Sequence, residues 1–132
     1  MPSRPAPESP ETFLAICEDI LQTLPSAMRD AASRVAIMVH DFAQPDILAD
    51  FGMTDPYELT GLYMGVAMIH ESVTHPSPDA PMIFLYRLPI IAEWQERGDV
   101  PLDALVAHVF IHELAHHFGW SDEEIDAILD DA

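Results

Sequence analysis

The sequence predicts a single α+β domain, in which a small sheet is combined with helices. Apolar residues recur at helical spacing near the start and again near the end of the chain. Compact β-rich runs lie between these two regions. A length of 132 residues suits one hydrophobic core, so the order helix, strands, helix, helix favours one α+β domain.

The first predicted element is an amphipathic helix. Ser9, Pro10 and Glu11 are residue types that begin helices, and Pro25 ends the pattern. Six apolar residues between them share one face: Phe13, Ile16, Cys17, Ile20, Leu21 and Leu24. Cys17 is the single cysteine and lies on this apolar face, so we interpret it as a packing residue rather than a reactive thiol.

Three segments in the middle of the chain are typical of strands. They are the apolar run 35–39 and the β-rich segments 60–69 and 81–87. Residues 74–81 contain three prolines and are predicted to form a loop. Residues 45–51 favour a short helix that ends at Gly52.

The clearest prediction concerns the last third. A helix over 89–97 ends near Gly98, and a second helix begins at Asp99 and Pro101 and runs to Phe118. Gly119 ends that helix. Residues 121–124 have the capping-box pattern of a final short helix.

Residues 112–116 read His-Glu-Leu-Ala-His in the middle of this helix. His112 and His116 lie about 40° apart around the helix axis and one turn along it, so both imidazoles can bind one ion. Glu113, about 100° from His112, can reach a water on that ion without binding it. The residue frequencies of this chain give about 0.03 chance matches to this motif, so coincidence explains it poorly.

Gly119 and Asp122 extend the pattern. A glycine with positive φ lets the chain fold back, so Asp122 can supply a third ligand. Two imidazoles and a carboxylate leave one tetrahedral position open, as a catalytic zinc site requires. Asp122 also has an alternative role, since the helix dipole favours an acidic residue in a first helical turn; Ser121 can cap that helix instead.

Hydrophobic periodicity supports a buried site. The apolar stripe of the helix consists of Leu102, Leu105, Val106 and Val109. The positions that continue this stripe at spacings of three and four residues after Val109 are His112, Glu113 and His116. These polar side chains are therefore expected to face inward. Burial removes the water that hydrogen-bonds to an imidazole, and coordination to a metal ion replaces that interaction.

Composition excludes some function classes. The 23 acidic residues against five arginines give a charge of -18, which repels phosphate backbones, so we expect no nucleic-acid partner. No apolar run is long enough to span a membrane, and the first residues lack the apolar segment of a signal peptide, so we expect a cytoplasmic protein. Residues 1–10 are expected to be a disordered tail and 11–132 the domain.

Residues 109–122 resemble the zincin clan and, more narrowly, the small bacterial minimal-zincin, or zincin-like, metallopeptidase family with its HExxHxxGxxD motif. Segments 85–89 and 61–66 and the opening helix are also similar to that family. The resemblance implies a small mixed sheet packed on a zinc-binding helix. It implies His112, His116 and Asp122 as zinc ligands, with Glu113 as the base, and it leaves the substrate open.

The sequence therefore predicts a zinc-dependent metallopeptidase that hydrolyses peptide bonds with a zinc-bound water activated by Glu113. Candidates for stabilising the oxyanion are Tyr63, His70, Tyr86 and Arg87. The peptide or protein substrate is expected to lie beside an edge strand, for which we choose 82–86. His117 is interpreted as a residue behind the site or on the surface, and His108 as a core or rim residue that could extend the polar lining.

Two alternatives remain open. In one, the chain is a zinc-binding regulatory or protein-interaction module with little or no turnover. In the other, it is an acidic interaction protein whose metal ion only stabilises the fold. The sequence does not indicate an oligomeric state.

Overall fold

The computed structural model describes residues 8–65 and 81–119. Its elements are helices α1 (Pro10–Thr23) and α2 (Ser26–Ala32), strand β1 (Ala36–His40), helix α3 (Pro45–Asp50), a 3₁₀ turn (Pro56–Glu58), strands β2 (Gly61–Met64) and β3 (Met82–Tyr86), and helices α4 (Arg87–Arg97) and α5 (Leu102–His117). This confirms the α+β class. Among the described helices, none is long and apolar enough to cross a membrane.

The three described strands form one mixed sheet in the order β1-β3-β2. Strand β1 pairs with β3 in parallel, with Ala36 opposite Met82, and β2 pairs with β3 antiparallel, with Gly61 opposite Leu85. The choice of 82–86 as the edge strand was therefore wrong, because neighbouring strands occupy both hydrogen-bonding edges of β3. Strand β2 lies at an edge of the described sheet.

Helix α1 begins as its sequence predicts. The Ser9 side chain accepts a hydrogen bond from the backbone N–H of Thr12, and Pro10 occupies the first turn. Residues 8–10, which fall within the predicted tail, are thus part of this helix start; residues 1–7 lie outside the described residues.

One main core holds the helices against the sheet. Its fully buried residues include Phe13, Cys17, Ile83, Leu85, Ile90, Val106 and Phe110. Burial raises the pKa of the Cys17 thiol to about 12, so this thiol stays protonated at neutral pH. The packing role inferred for Cys17 agrees with this placement.

Helix α4 begins at Arg87, two residues earlier than predicted, directly after β3. The Arg87 guanidinium contacts the Asp41 carboxylate at 2.9 Å and donates to the carbonyl of Glu8 at 3.1 Å. The helix ends as predicted at Gly98, whose φ of 70° is in the left-handed region. The predicted strand over 60–69 is described only as far as Gly65. Of the predicted loop 74–81 only Pro81 is described, and the predicted helix at 121–124 lies outside the described residues.

Candidate metal centre

Helix α5 places two imidazoles side by side. The ring centroids of His112 and His116 lie 4.9 Å apart, with an angle of 79° between the ring planes. Both residues are partly exposed. Two adjacent imidazoles with access to solvent fit a divalent transition metal, which imidazole nitrogens bind well.

These histidines and Glu113 line the same cleft, which has a volume of about 620 Å³. Its opposite wall comes from the segment after α3 and from the region around β2. The lining residues of that wall are Phe51, Met53, Leu59, Gly61, Leu62, Tyr63 and Gly65. Three of the four predicted site residues are thus brought together at one concave surface, where they remain partly exposed.

Gly61 brings β2 into close contact with helix α5. A Cβ atom built on Gly61 would lie 2.7 Å from Cγ1 of Val109 and 3.3 Å from Cγ of Glu113. Only a residue without a side chain therefore fits at this position without movement of its neighbours. The glycine allows the strand to pack directly on the stem of Glu113. Sequence reasoning missed this role, although a glycine at the start of a predicted strand is a signal of close backbone approach.

His117 is buried, with 2% of its surface exposed. Its Nδ1 lies 2.9 Å from the hydroxyl of Tyr63 on β2, and its Nε2 lies 3.3 Å from the backbone carbonyl of Ala31 on α2. Because a carbonyl can only accept, Nε2 carries a proton in this arrangement. In the neutral imidazole, Nδ1 then accepts a hydrogen bond from the Tyr63 hydroxyl.

His117 therefore links α5 to both α2 and β2 behind the cleft. The surface alternative for His117 was wrong, because the position about 100° from His116 turns toward these two elements rather than toward solvent. The sequence carried a signal in the adjacent His116-His117 pair, but it did not identify Tyr63 as the partner.

The four oxyanion candidates differ in their surroundings. Tyr63 lines the cleft and directs its hydroxyl toward His117. Arg87 is held by Asp41 and Glu8. The Tyr86 hydroxyl is buried and has no hydrogen-bond partner among the described residues. His70 lies outside them.

The surroundings of Tyr86 favour the protonated form of its phenol. Burial, and secondly the negative charge of Glu113, raise the pKa of Tyr86 to about 12. The phenol therefore stays protonated across the physiological range. Tyr86 belongs to a small second core with Ala43, Leu48 and Leu59, so it reaches no solvent in this arrangement.

A second cleft of about 330 Å³ shares His112 and Glu113 with the first. Charged or polar residues dominate its remaining wall, namely Glu58, Thr60, Glu93, Arg97 and His108. His108 is exposed, which corrects the expectation of a core position and leaves the rim alternative.

Asp122, the predicted third ligand, lies outside the described residues. Within residues 8–65 and 81–119, no three His, Cys, Asp or Glu side chains form a group that could hold a metal ion. The described donors are thus the two imidazoles alone, and the third ligand stays a prediction.

Comparison with known proteins supplies the family. The profile of the zincin-like metallopeptidase family matches residues 32–131, which include the three described strands and helix α5. No curated protein gives a significant match. Since the family profile covers more than half of the sequence, the chain belongs to the zincin-like metallopeptidase family.

Proposed function

We propose that this protein is a zinc-dependent metallopeptidase in which His112, His116 and Asp122 bind the metal and Glu113 is the general base. One observation carries the proposal: His112, Glu113 and His116 line a single open cleft. Family membership supports a zinc peptidase in general terms. The assignment of individual roles rests on the geometry of α5 and on the chemistry of these side chains.

The roles of the side chains follow from their positions. Zinc, when bound, supplies a Lewis acid that polarises the scissile carbonyl and makes water more acidic. Glu113 accepts the proton of the attacking water and later transfers it to the departing amine. Its stem packs against Gly61 and is thereby restricted, which keeps the carboxylate directed into the cleft.

Strand β2 replaces 82–86 as the proposed substrate-binding strand. It lies at an edge of the described sheet, and Gly61, Leu62 and Tyr63 line the cleft beside Glu113. An extended peptide that pairs with an edge strand gains backbone hydrogen bonds and is held in a fixed register. Such pairing would place the scissile bond in the cleft that the histidine pair lines.

The first test is the substitution Glu113→Gln, with Glu96→Gln on the exposed surface of α4 as a matched control. We expect Glu113→Gln to lower peptide cleavage by about 10²–10⁴-fold, because proton transfer is lost while the metal ligands remain. Zinc content, measured on the same preparations, should not change. Unchanged activity with zinc retained would instead support a regulatory or interaction module.

The second test concerns the ligands. His112→Ala, His116→Ala and Asp122→Ala should each lose bound zinc, whereas His108→Ala, an exposed histidine one turn earlier on α5, should retain it. Zinc is measured by elemental analysis after dialysis. Full zinc binding by the Asp122→Ala protein would remove Asp122 from the ligand set.

A further inference from the structure

We propose that the cleft selects peptides with a bulky apolar side chain next to the scissile bond, and that Phe51 and Met53 determine this preference. The inference rests on the proposed peptidase function and names its substrate class. It is argued from the two clefts that meet at His112 and Glu113.

The metal ligands indicate which cleft receives the residue next to the scissile bond. Both clefts include His112 and Glu113, but only the larger of these two includes His116 as well. An ion bound by both imidazoles therefore faces the larger cleft. Its volume of about 620 Å³ lies within the range of typical ligand sites.

The wall of this cleft opposite α5 is apolar. Glu113 is the only acidic or basic side chain, histidines aside, among the described residues that line it. Phe51 is 52% exposed, and Met53 and Leu62 are partly exposed beside it. Apolar side chains that remain accessible in a concave site gain free energy when a ligand of the same character covers them.

Charge alone would suggest a different substrate. A chain with a charge of -18 attracts basic peptides in general. However, the charged residues near the site lie in the smaller cleft, where Arg97 pairs with Glu93 at 3.2 Å and offsets part of the negative charge. The local surroundings of the histidine pair thus favour apolar over basic selection.

The experiment uses the full zinc-loaded chain and peptides that vary at the two residues flanking the cleaved bond. We expect Leu, Met or Phe on one side of that bond to be cleaved at least about tenfold faster than Ala, Lys or Glu. Phe51→Ser and Met53→Gln should reduce this preference. Tyr57→Ser, which removes an aromatic ring that is 50% exposed and does not line the larger cleft, should leave it intact.

A binding measurement separates specificity from turnover. Peptidyl hydroxamates with isobutyl, benzyl, methyl or aminobutyl side chains are titrated by calorimetry into the zinc-loaded protein. Tighter binding of the isobutyl and benzyl compounds by about tenfold or more supports apolar selection by the cleft. If no peptide is cleaved, the peptidase proposal fails, and the apolar preference of the cleft remains as a property of binding alone.

The remaining outcomes overturn the inference. Cleavage with equal rates for apolar and basic residues, or with basic residues preferred, leaves the peptidase proposal intact and rejects apolar selection. Absence of both cleavage and hydroxamate binding rejects both proposals. Thermal unfolding of each variant shows whether the fold is retained before its preference is interpreted.

Discussion

Helix α5 has two faces that differ in burial and in chemistry. On the core face, Val106 and Phe110 are completely buried against the rest of the domain. On the cleft face, His112, Glu113 and His116 remain partly exposed. The same helix thus combines a packed surface that fixes its position with an accessible surface that can carry reactive groups. Stability and activity should therefore respond to different substitutions on one helix.

Two residues, Gly61 and His117, lie at the boundary between these faces. Gly61 touches both Val109 and Glu113, and His117 is polar although it is buried. At these positions a substitution should affect packing and the site together. The following predictions separate the two faces first and then examine the boundary.

The largest loss of stability is expected from Phe110→Ala. Removal of this fully buried ring leaves a cavity and should lower the free energy of unfolding by about 3–5 kcal/mol. Urea denaturation measures the loss. Ala104→Gln, on the exposed side of the same helix, should change stability by less than about 0.5 kcal/mol. Equal effects of the two substitutions would contradict the distinction between the core face and the exposed part of this helix.

Gly61→Ala should affect both faces at once. The added methyl group clashes with Val109 and crowds Glu113, so we expect a loss of about 1–3 kcal/mol in stability together with a lower kcat. Gly98→Ala is the control, because it meets no atom within 4 Å and its cost arises only from its positive φ. That control should lose stability while keeping kcat. A Gly61→Ala protein with normal kcat would show that Glu113 does not depend on this contact.

Tyr63→Phe removes the hydroxyl that donates to buried His117. We expect a loss of about 1 kcal/mol, the usual net contribution of one hydrogen bond. Thermal or urea unfolding measures it. In a double-mutant cycle, His117→Phe should make the Tyr63→Phe change nearly neutral, since the two side chains then no longer interact. Additive losses would mean that this hydrogen bond contributes little.

Tyr86→Phe should have the smallest effect. Its buried hydroxyl has no hydrogen-bond partner within the described parts of the chain, so removal should be neutral or stabilise by up to about 1 kcal/mol. Peptide cleavage should not change either, because the hydroxyl does not reach the cleft. A large loss of cleavage with unchanged stability would restore Tyr86 as the oxyanion donor.

Local sequence signals predicted α1, α3, α4 and α5 and the clustering on α5, but not α2. Helical spacing and caps define α1 and α5, and the motif alone places His112 and His116 on one face. Sheet order was not predictable in the same way. Strand β3 is central because it also pairs with β1, where Ala36 lies opposite Met82, a residue 46 positions later in the sequence. Such long-range pairing leaves no local pattern in the sequence.

The same limit explains what was missed around the site. The environment of His117 depends on Tyr63 and Ala31, which lie far from it in sequence. The apolar wall of the larger cleft similarly depends on how the segment after α3 folds toward α5. Residue type and spacing predicted that His112, Glu113 and His116 lie close together on α5, whereas the surroundings of these side chains required the tertiary arrangement.

The contact between Arg87 and the carbonyl of Glu8 has a practical consequence for shortened versions of the protein. A chain that starts at Glu11 would lack this carbonyl and also the Ser9 cap, which is worth about 1 kcal/mol to α1. Since α1 packs directly on α5, fraying at the amino-terminal end would reach the helix that carries the histidines. Trimming should therefore stop before residue 8.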